Sequence, residues 1–221
     1  NSVRVYVIGG NGYLEGSKTV YIEGIKFYGG DNPFEATNTS SSDNLNVYFK
    51  DCEFKYGYKD GFSNGLTIKG ARQVFLQNCI AARNQRDGFN YHIYNNINPN
   101  VIEIDCVGYN NGIGHAEDNN NGSTIHELGN IIRVNGMYFG NKGPNVADVG
   151  GSNAWAIGCT GYKSISTSTS SNVNFQNQDG KTWLDGCVAY ASTVDISEAG
   201  TGKVYARRSL KTNQIFETTE Y

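Results

Sequence analysis

The residues best suited to acid–base chemistry are gathered in one stretch of this chain. All three histidines (His92, His115 and His126) fall within 35 residues. Asp87, Glu103, Asp105, Glu117, Asp118 and Glu127 surround them, and Asp148 follows. Imidazoles and carboxylates are the usual proton carriers near neutral pH. Counted from the glycine of the nearest turn, His92 is Gly88 plus four, His115 is Gly112 plus three and Asp148 is Gly143 plus five. These offsets place the three at similar phases of successive repeats.

Two chemistries suit such a set. Glycosidic hydrolysis needs two carboxyl groups, about 5–5.5 Å apart for retention or 6.5–9.5 Å for inversion. Lyase chemistry needs a base at a sugar carbon and a cation to neutralise a uronate. His92 or His115 suits the base, and Arg83, Arg86 or Arg133 the cation. The pool for catalysis is therefore His92, His115, Glu117, Asp118, His126, Glu127 and Asp148. Arg83, Arg86, Tyr91, Tyr94, Tyr109 and Trp155 are the candidates for substrate contact, since flat amphipathic rings can stack on sugars in a wet groove. Asp60 and Asp87 each precede a glycine and read as turn residues. Asp51, Asn78 and Asp105 occupy one repeat position and read as a structural corner, which removes Asp105 from the pool.

Something must bring these side chains together, and the cysteines show what it is. They stand at 52, 79, 106, 159 and 187, with gaps of 27, 27, 53 and 28. Fixed spacing of this kind marks a repeat architecture. Lys50-Asp51-Cys52-Glu53-Phe54 matches Gln77-Asn78-Cys79-Ile80-Ala81, and the contexts of Cys106, Cys159 and Cys187 follow. Ile25 and Met137 fill the same position in coils without cysteine. The longer interval from Cys106 to Met137 marks an insertion, which carries His115 through Asp118 and Ser123 through Glu127.

Within a repeat the pattern is β, then a polar turn, then β again. Asp-Gly and Asn-Gly pairs, as at 60–61, 87–88 and 111–112, supply the left-handed corners. No amphipathic helix of normal length appears, so a βαβ reading fails, and blades of about 40 residues or more exclude a propeller. The expectation is an all-β, right-handed, single-stranded parallel β-helix of about 7–8 coils of ~27 residues. It spans 1–205, with 206–221 as a C-terminal cap or exit segment, and the whole reads as a fragment of a longer chain. One-coil neighbours then lie about 5 Å apart. The cysteines read as a ladder of buried free thiols, and no metal site or cofactor is expected.

The net charge of −3 and the lack of a basic block argue against nucleic acid. No apolar run reaches the ~20 residues of a membrane span. Gly9-Gly10-Asn11-Gly12 opens no helix and is a weak phosphate cradle.

The run Gln77-Asn78-Cys79-Ile80-Ala81-Ala82-Arg83-Asn84 to Asp87-Gly88-Phe89 resembles the pectate-lyase-like β-helix superfamily. Asn121 through Glu127 and Gly143 through Val149 are similar to β-helix regions of bacteriophage tailspikes. The resemblance covers nearly the whole chain and is one of scaffold. It implies binding or cleavage of a capsule, lipopolysaccharide or plant-wall polymer, an extracellular or virion-surface location, and a homotrimer. The calcium-holding aspartates and arginine base of pectate lyases do not map onto this sequence. Three readings follow: a tailspike-like depolymerase (hydrolase or lyase), a non-catalytic glycan-binding module, or a structural rod of a trimeric fibre.

Overall fold

The structure is a computed structural model that describes residues 6–8, 12–58, 63–212 and 214–221. Among these residues the chain is all β, with short parallel strands wound into a solenoid around three sheets. The first sheet has ten strands, and the second and third have eight each. Every coil contributes one strand to each sheet in turn, and partners in a sheet come from successive coils. No helix among the described residues is long and apolar enough to cross a membrane.

The corner between the third and first sheets is one residue in the left-handed region. Asp51, Asn78, Asp105 and Asn135 hold φ of 54°, 52°, 55° and 53°, and Gly158 and Gly186 hold 63° and 62°. Asn, Asp and Gly tolerate this conformation best. The corner reading of Asp51, Asn78 and Asp105 is thus confirmed, and Asn78 Nδ2 donates to Asp51 Oδ1 at 2.6 Å. Arg83, at φ 57°, forms the next corner of its coil. The turn expected at 60–61 and the glycine-rich run at 9–11 lie outside the described residues.

The cysteines line the interior next to the first corner, all free and buried. Each thiol caps the carbonyl two residues back, as Cys79 Sγ does with Gln77 O at 3.4 Å. The register corrects one expectation. Met137 pairs with Val107 and Thr160 on the outer face and is 43% exposed. Gly136 takes the cysteine slot instead. A Cβ there would lie 2.5 Å from the Tyr138 hydroxyl, so glycine makes room for that inward ring.

Inside the next turn runs a second ladder that the sequence reading did not single out. Asn84, Asn111, Asn141, Asn145 and Asn174 are buried and joined amide to amide. Asn84 Nδ2 donates to Asn111 Oδ1 at 3.0 Å, and Asn111 Nδ2 to Asn141 Oδ1 at 2.9 Å. Each amide also donates to a backbone carbonyl, as Asn111 does to Ala81 O. These bonds satisfy backbone groups that the turn would otherwise bury unpaired.

The apolar interior is divided in two. One cluster runs from Phe27 through Ile131 and takes in Ala154, and another runs from Tyr138 to Ala206. Between them, Glu103 and Arg133 enter the inward column that Leu76 precedes and Ala156 follows. The repeat ends on strand Ser209–Lys211, and Gln214–Phe216 returns antiparallel against it. That return strand covers an edge that would otherwise offer unpaired backbone groups.

Candidate active site on the second sheet

Four of the sequence candidates meet on the outer face of the second sheet. Thr37, Lys69 and His92 are register partners on successive coils. His126 lies one coil further on, its backbone N–H donating to Tyr91 O at 2.9 Å. The two imidazoles stack at 4.1 Å between centroids, with 10° between planes. Glu127 reaches back, so that Oε2 sits 3.8 Å from His92 Nδ1 and accepts from Ile93 N at 3.3 Å. Tyr94 closes one side. Together with Tyr13, Glu35, Thr37, Lys69 and Ile93, His92 and Tyr94 line a groove of about 350 Å³.

The charges are arranged around this groove. Lys69 Nζ meets Glu35 Oε1 at 2.8 Å, and Asn32 Nδ2 donates to Glu35 Oε2 at 2.8 Å. Burial lowers the His92 pKa below its ordinary value, against the raising effect of Glu127. Burial and the neighbouring His92 hold His126 down at about 3. Both imidazoles are therefore neutral at pH 7, with a free lone pair each.

Beside the histidines, Asn90 and Thr124 are register partners on the same outer face. Asn90 Oδ1, Thr124 Oγ1 and His126 Nε2 are screened from solvent without a hydrogen-bond partner. Buried polar atoms are seldom left unpaired, so orphans clustered at one place mark a site that meets water, an ion or a ligand.

The remaining candidates lie elsewhere. Asp148 is inside the solenoid, accepting from Arg133 Nη1 at 2.8 Å and Thr182 Oγ1 at 2.8 Å. Tyr91 is also inside, its hydroxyl donating to Glu103 Oε1 at 2.7 Å. Arg133 is fully buried and cannot meet a substrate as a cation. Asp148 corrects the phase count from turn glycines, and Tyr91 and Arg133 are corrected as substrate contacts: turn length varies between coils, and a one-residue slip turns a side chain to the other face.

His115, Glu117 and Asp118 stay together on the insertion. His115 Nδ1 accepts from Glu117 N, Glu117 pairs with Arg86 at 3.2 Å, and Asp118 Oδ2 accepts from Thr167 and Ser168. Their hydrogen bonds pin one surface loop to another. Asp87 Oδ1 accepts from Asn121 N at 2.7 Å, in keeping with a turn role. Arg83 lies over the Tyr56 ring and Tyr109 stacks on Phe139, both at the first sheet.

Trp155 belongs to the third sheet. There, Tyr21, Tyr48, Phe75, Ile102, Ile132, Trp155, Trp183 and Tyr205 form one outward column. Trp155 and Trp183 stack at 4.8 Å, so their faces meet each other and their edges meet solvent.

Lys69 and Glu35 were missed in the sequence. Lys69 lies 23 residues before His92, a coil shorter than the cysteine period, so a 27-residue count passes over it.

Among solved structures the chain is similar to pectate lyase Pel9A. Identity is 11%, the match covers 99% of this chain and 74% of that one, and the TM-score is 0.50. It also aligns with the mannuronan C-5 epimerase AlgE4 A-module of Azotobacter vinelandii. There the identity is 13%, the coverage 95% and 91%, and the TM-score 0.30. No protein-family model matches the sequence, and no curated protein matches it significantly. At these identities the likeness shows the fold alone: a parallel β-helix.

Proposed function

We propose that this β-helix processes polysaccharide, and that the groove of the second sheet cleaves an acidic chain by β-elimination. The observation that carries the proposal is the register pairing of Lys69 with His92 in one groove. Neutral His92 is the base. It takes the proton from the sugar carbon next to a uronate carboxylate. The C–H electron pair becomes a carbon–carbon double bond, the glycosidic C–O bond breaks, and the departing oxygen gains a proton from water. Lys69 faces the carboxylate and steadies the charge that grows on it, with the sugar replacing Glu35 as its partner. Tyr13 and Tyr94 flank the chain as it lies across the coils. The Pel9A likeness supports this choice as an analogy of fold. On this reading the protein is a tailspike-like depolymerase of a surface polysaccharide, acting outside the cell or on a virion.

Incubation with bacterial capsules, lipopolysaccharides and pectins tests the proposal. New reducing ends should rise in step with unsaturated-uronate absorbance, and both should vanish in His92→Ala. Reducing ends without that absorbance would point instead to hydrolysis. Saturable binding without turnover would leave a recognition module.

A second reading has its own observation. The third-sheet column is apolar at all eight positions, and such a continuous strip marks a contact surface. With ring faces spent on one another, it favours the edges of a second copy over sugar stacking, as in the rod of a homotrimeric fibre. Sedimentation would show a trimer that Ile102→Lys and Ile132→Lys dissociate. A monomer at all concentrations would exclude it.

A further inference from the structure

The stacked histidines present a second chemistry. His92, His126 and Glu127 each offer one ligand atom, and these atoms all lie within 4.8 Å of one another. Two imidazoles and one carboxylate form a set that first-row divalent metals favour. Three features hold it in place. His92 and His126 stand on adjacent coils of a rigid sheet, which fixes the distance between their backbones near 4.8 Å. His126 Nε2 is screened from water and has no hydrogen-bond partner. Glu127 and Leu128 both adopt left-handed backbone, at φ 38° and 42°, which turns the carboxylate back toward the rings. Consecutive non-glycine residues in that region are costly, and such strain tends to collect at functional sites.

We propose that His92, His126 and Glu127 bind one divalent transition-metal ion, of the zinc, nickel or cobalt type. In the stack the two in-plane lone pairs run side by side. Small side-chain rotations that fan the rings apart at one edge bring both nitrogens to about 2.0–2.1 Å from a common ion. Glu127 then supplies the third ligand and exchanges its Ile93 N–H bond for the metal. The remaining positions open toward the groove and take water. Glu127 also offsets one of the two positive charges, so the ion enters with a single net charge beside Lys69.

The binding claim stands apart from the elimination reading. One consequence does rest on that reading: an ion on His92 occupies the lone pair that the base needs, so metal and turnover exclude each other at this residue.

Titration calorimetry of the full chain with zinc chloride at pH 7.5, after EDTA treatment and dialysis, tests it. One site per chain with micromolar or tighter affinity is expected. His126→Ala and Glu127→Gln should each weaken it by at least ~10-fold, and His115→Ala should leave it unchanged. Glu127 is exposed, so its variant keeps the fold even if His126→Ala does not. Cobalt chloride should give a visible absorption band that Glu127→Gln weakens. Binding by the parent no tighter than about 1 mM, or parent-level affinity kept in Glu127→Gln and His126→Ala, overturns the site. If zinc binds but no polysaccharide is cleaved in EDTA, the elimination reading fails and the metal site stands. If EDTA-treated protein turns over and zinc leaves the rate unchanged at saturation, the shared use of His92 is refuted.

Discussion

Glu103 and Arg133 face each other on neighbouring coils inside the solenoid, and the hydroxyl of Ser123 joins them. It accepts from Arg133 Nε at 2.9 Å and donates to Glu103 Oε1 at 2.8 Å. Tyr138 also donates to Glu103, and Asp148 takes the other end of the guanidinium. Burial works against the Arg133 charge, but the Asp148 and Glu103 carboxylates outweigh it and hold the group above its usual range. The layer is a polar partition between two apolar clusters.

Arg133→Met should therefore cost about 3–5 kcal/mol, because it strands carboxylates in the interior. Adding Glu103→Gln and Asp148→Asn to it should recover much of that loss. Urea unfolding of the three proteins checks both statements. A loss below about 1 kcal/mol for Arg133→Met would mean that water reaches the layer.

In the groove, the two proposed roles separate kinetically. His92→Ala should lower kcat/KM by ~10²–10⁴-fold through loss of proton transfer. Lys69→Met should lower it by about 10²–10³-fold, on uronate substrates only. Both variants should melt within a few degrees of the parent, since each side chain is on the outer face. An equal loss for Lys69→Met on free uronates and on their neutral methyl esters would remove Lys69 from the mechanism.

Asp87 makes stability depend on pH in an unusual direction. Burial raises its pKa to about 7, against the lowering effect of the Asn121 N–H, while an unfolded aspartate titrates near 3.9. Between those values the native chain keeps a proton that the unfolded chain has lost. The stabilisation is thus complete below about pH 4 and is lost as pH rises through 7. Asp87→Asn keeps the acceptor for Asn121 N and cannot ionise. Its stability relative to the parent should climb between pH 4 and 8, by up to about 4 kcal/mol at ~1.4 kcal/mol per unit. A pH-independent difference would show an ordinary carboxylate.

For the amide ladder, Asn111→Ala removes the acceptor of Asn84 and the donor to Asn141 and Ala81 at once. It should cost about 2–4 kcal/mol, more than an isolated hydrogen bond, because its buried partners stay behind unpaired. Thermal unfolding beside a surface control such as Asn119→Ala provides the measurement.

The cysteine spacing made the repeat legible, because thiols in one interior slot recur with the coil. The corner at Asp51, Asn78 and Asp105 was legible for the same reason. What the sequence hid was phase beyond a variable turn. Met137 was placed one residue late because Gly136, not an apolar residue, fills the slot. Asp148 and Tyr91 look like surface chemistry in composition, and only the register reveals that they point inward. His92, His126 and Glu127 could be gathered from the sequence, but Lys69 and Glu35 join them through coils of unequal length.

The polar partition also bears on how the molecule comes apart. A solenoid couples each coil to its two neighbours only, so its cooperativity is that of a linear chain of units. A layer held by directional bonds between two greasy blocks is the natural break point in such a chain. Both tryptophans, Trp155 and Trp183, stack on each other on strands Asn153–Ile157 and Lys181–Asp185, which follow the layer along the chain. Indole fluorescence therefore watches the coils after the layer, while the thiols of Cys52, Cys79 and Cys106 report on the apolar cluster before it. A melt followed by light and a melt followed by the labelling of those three thiols are records of two different events.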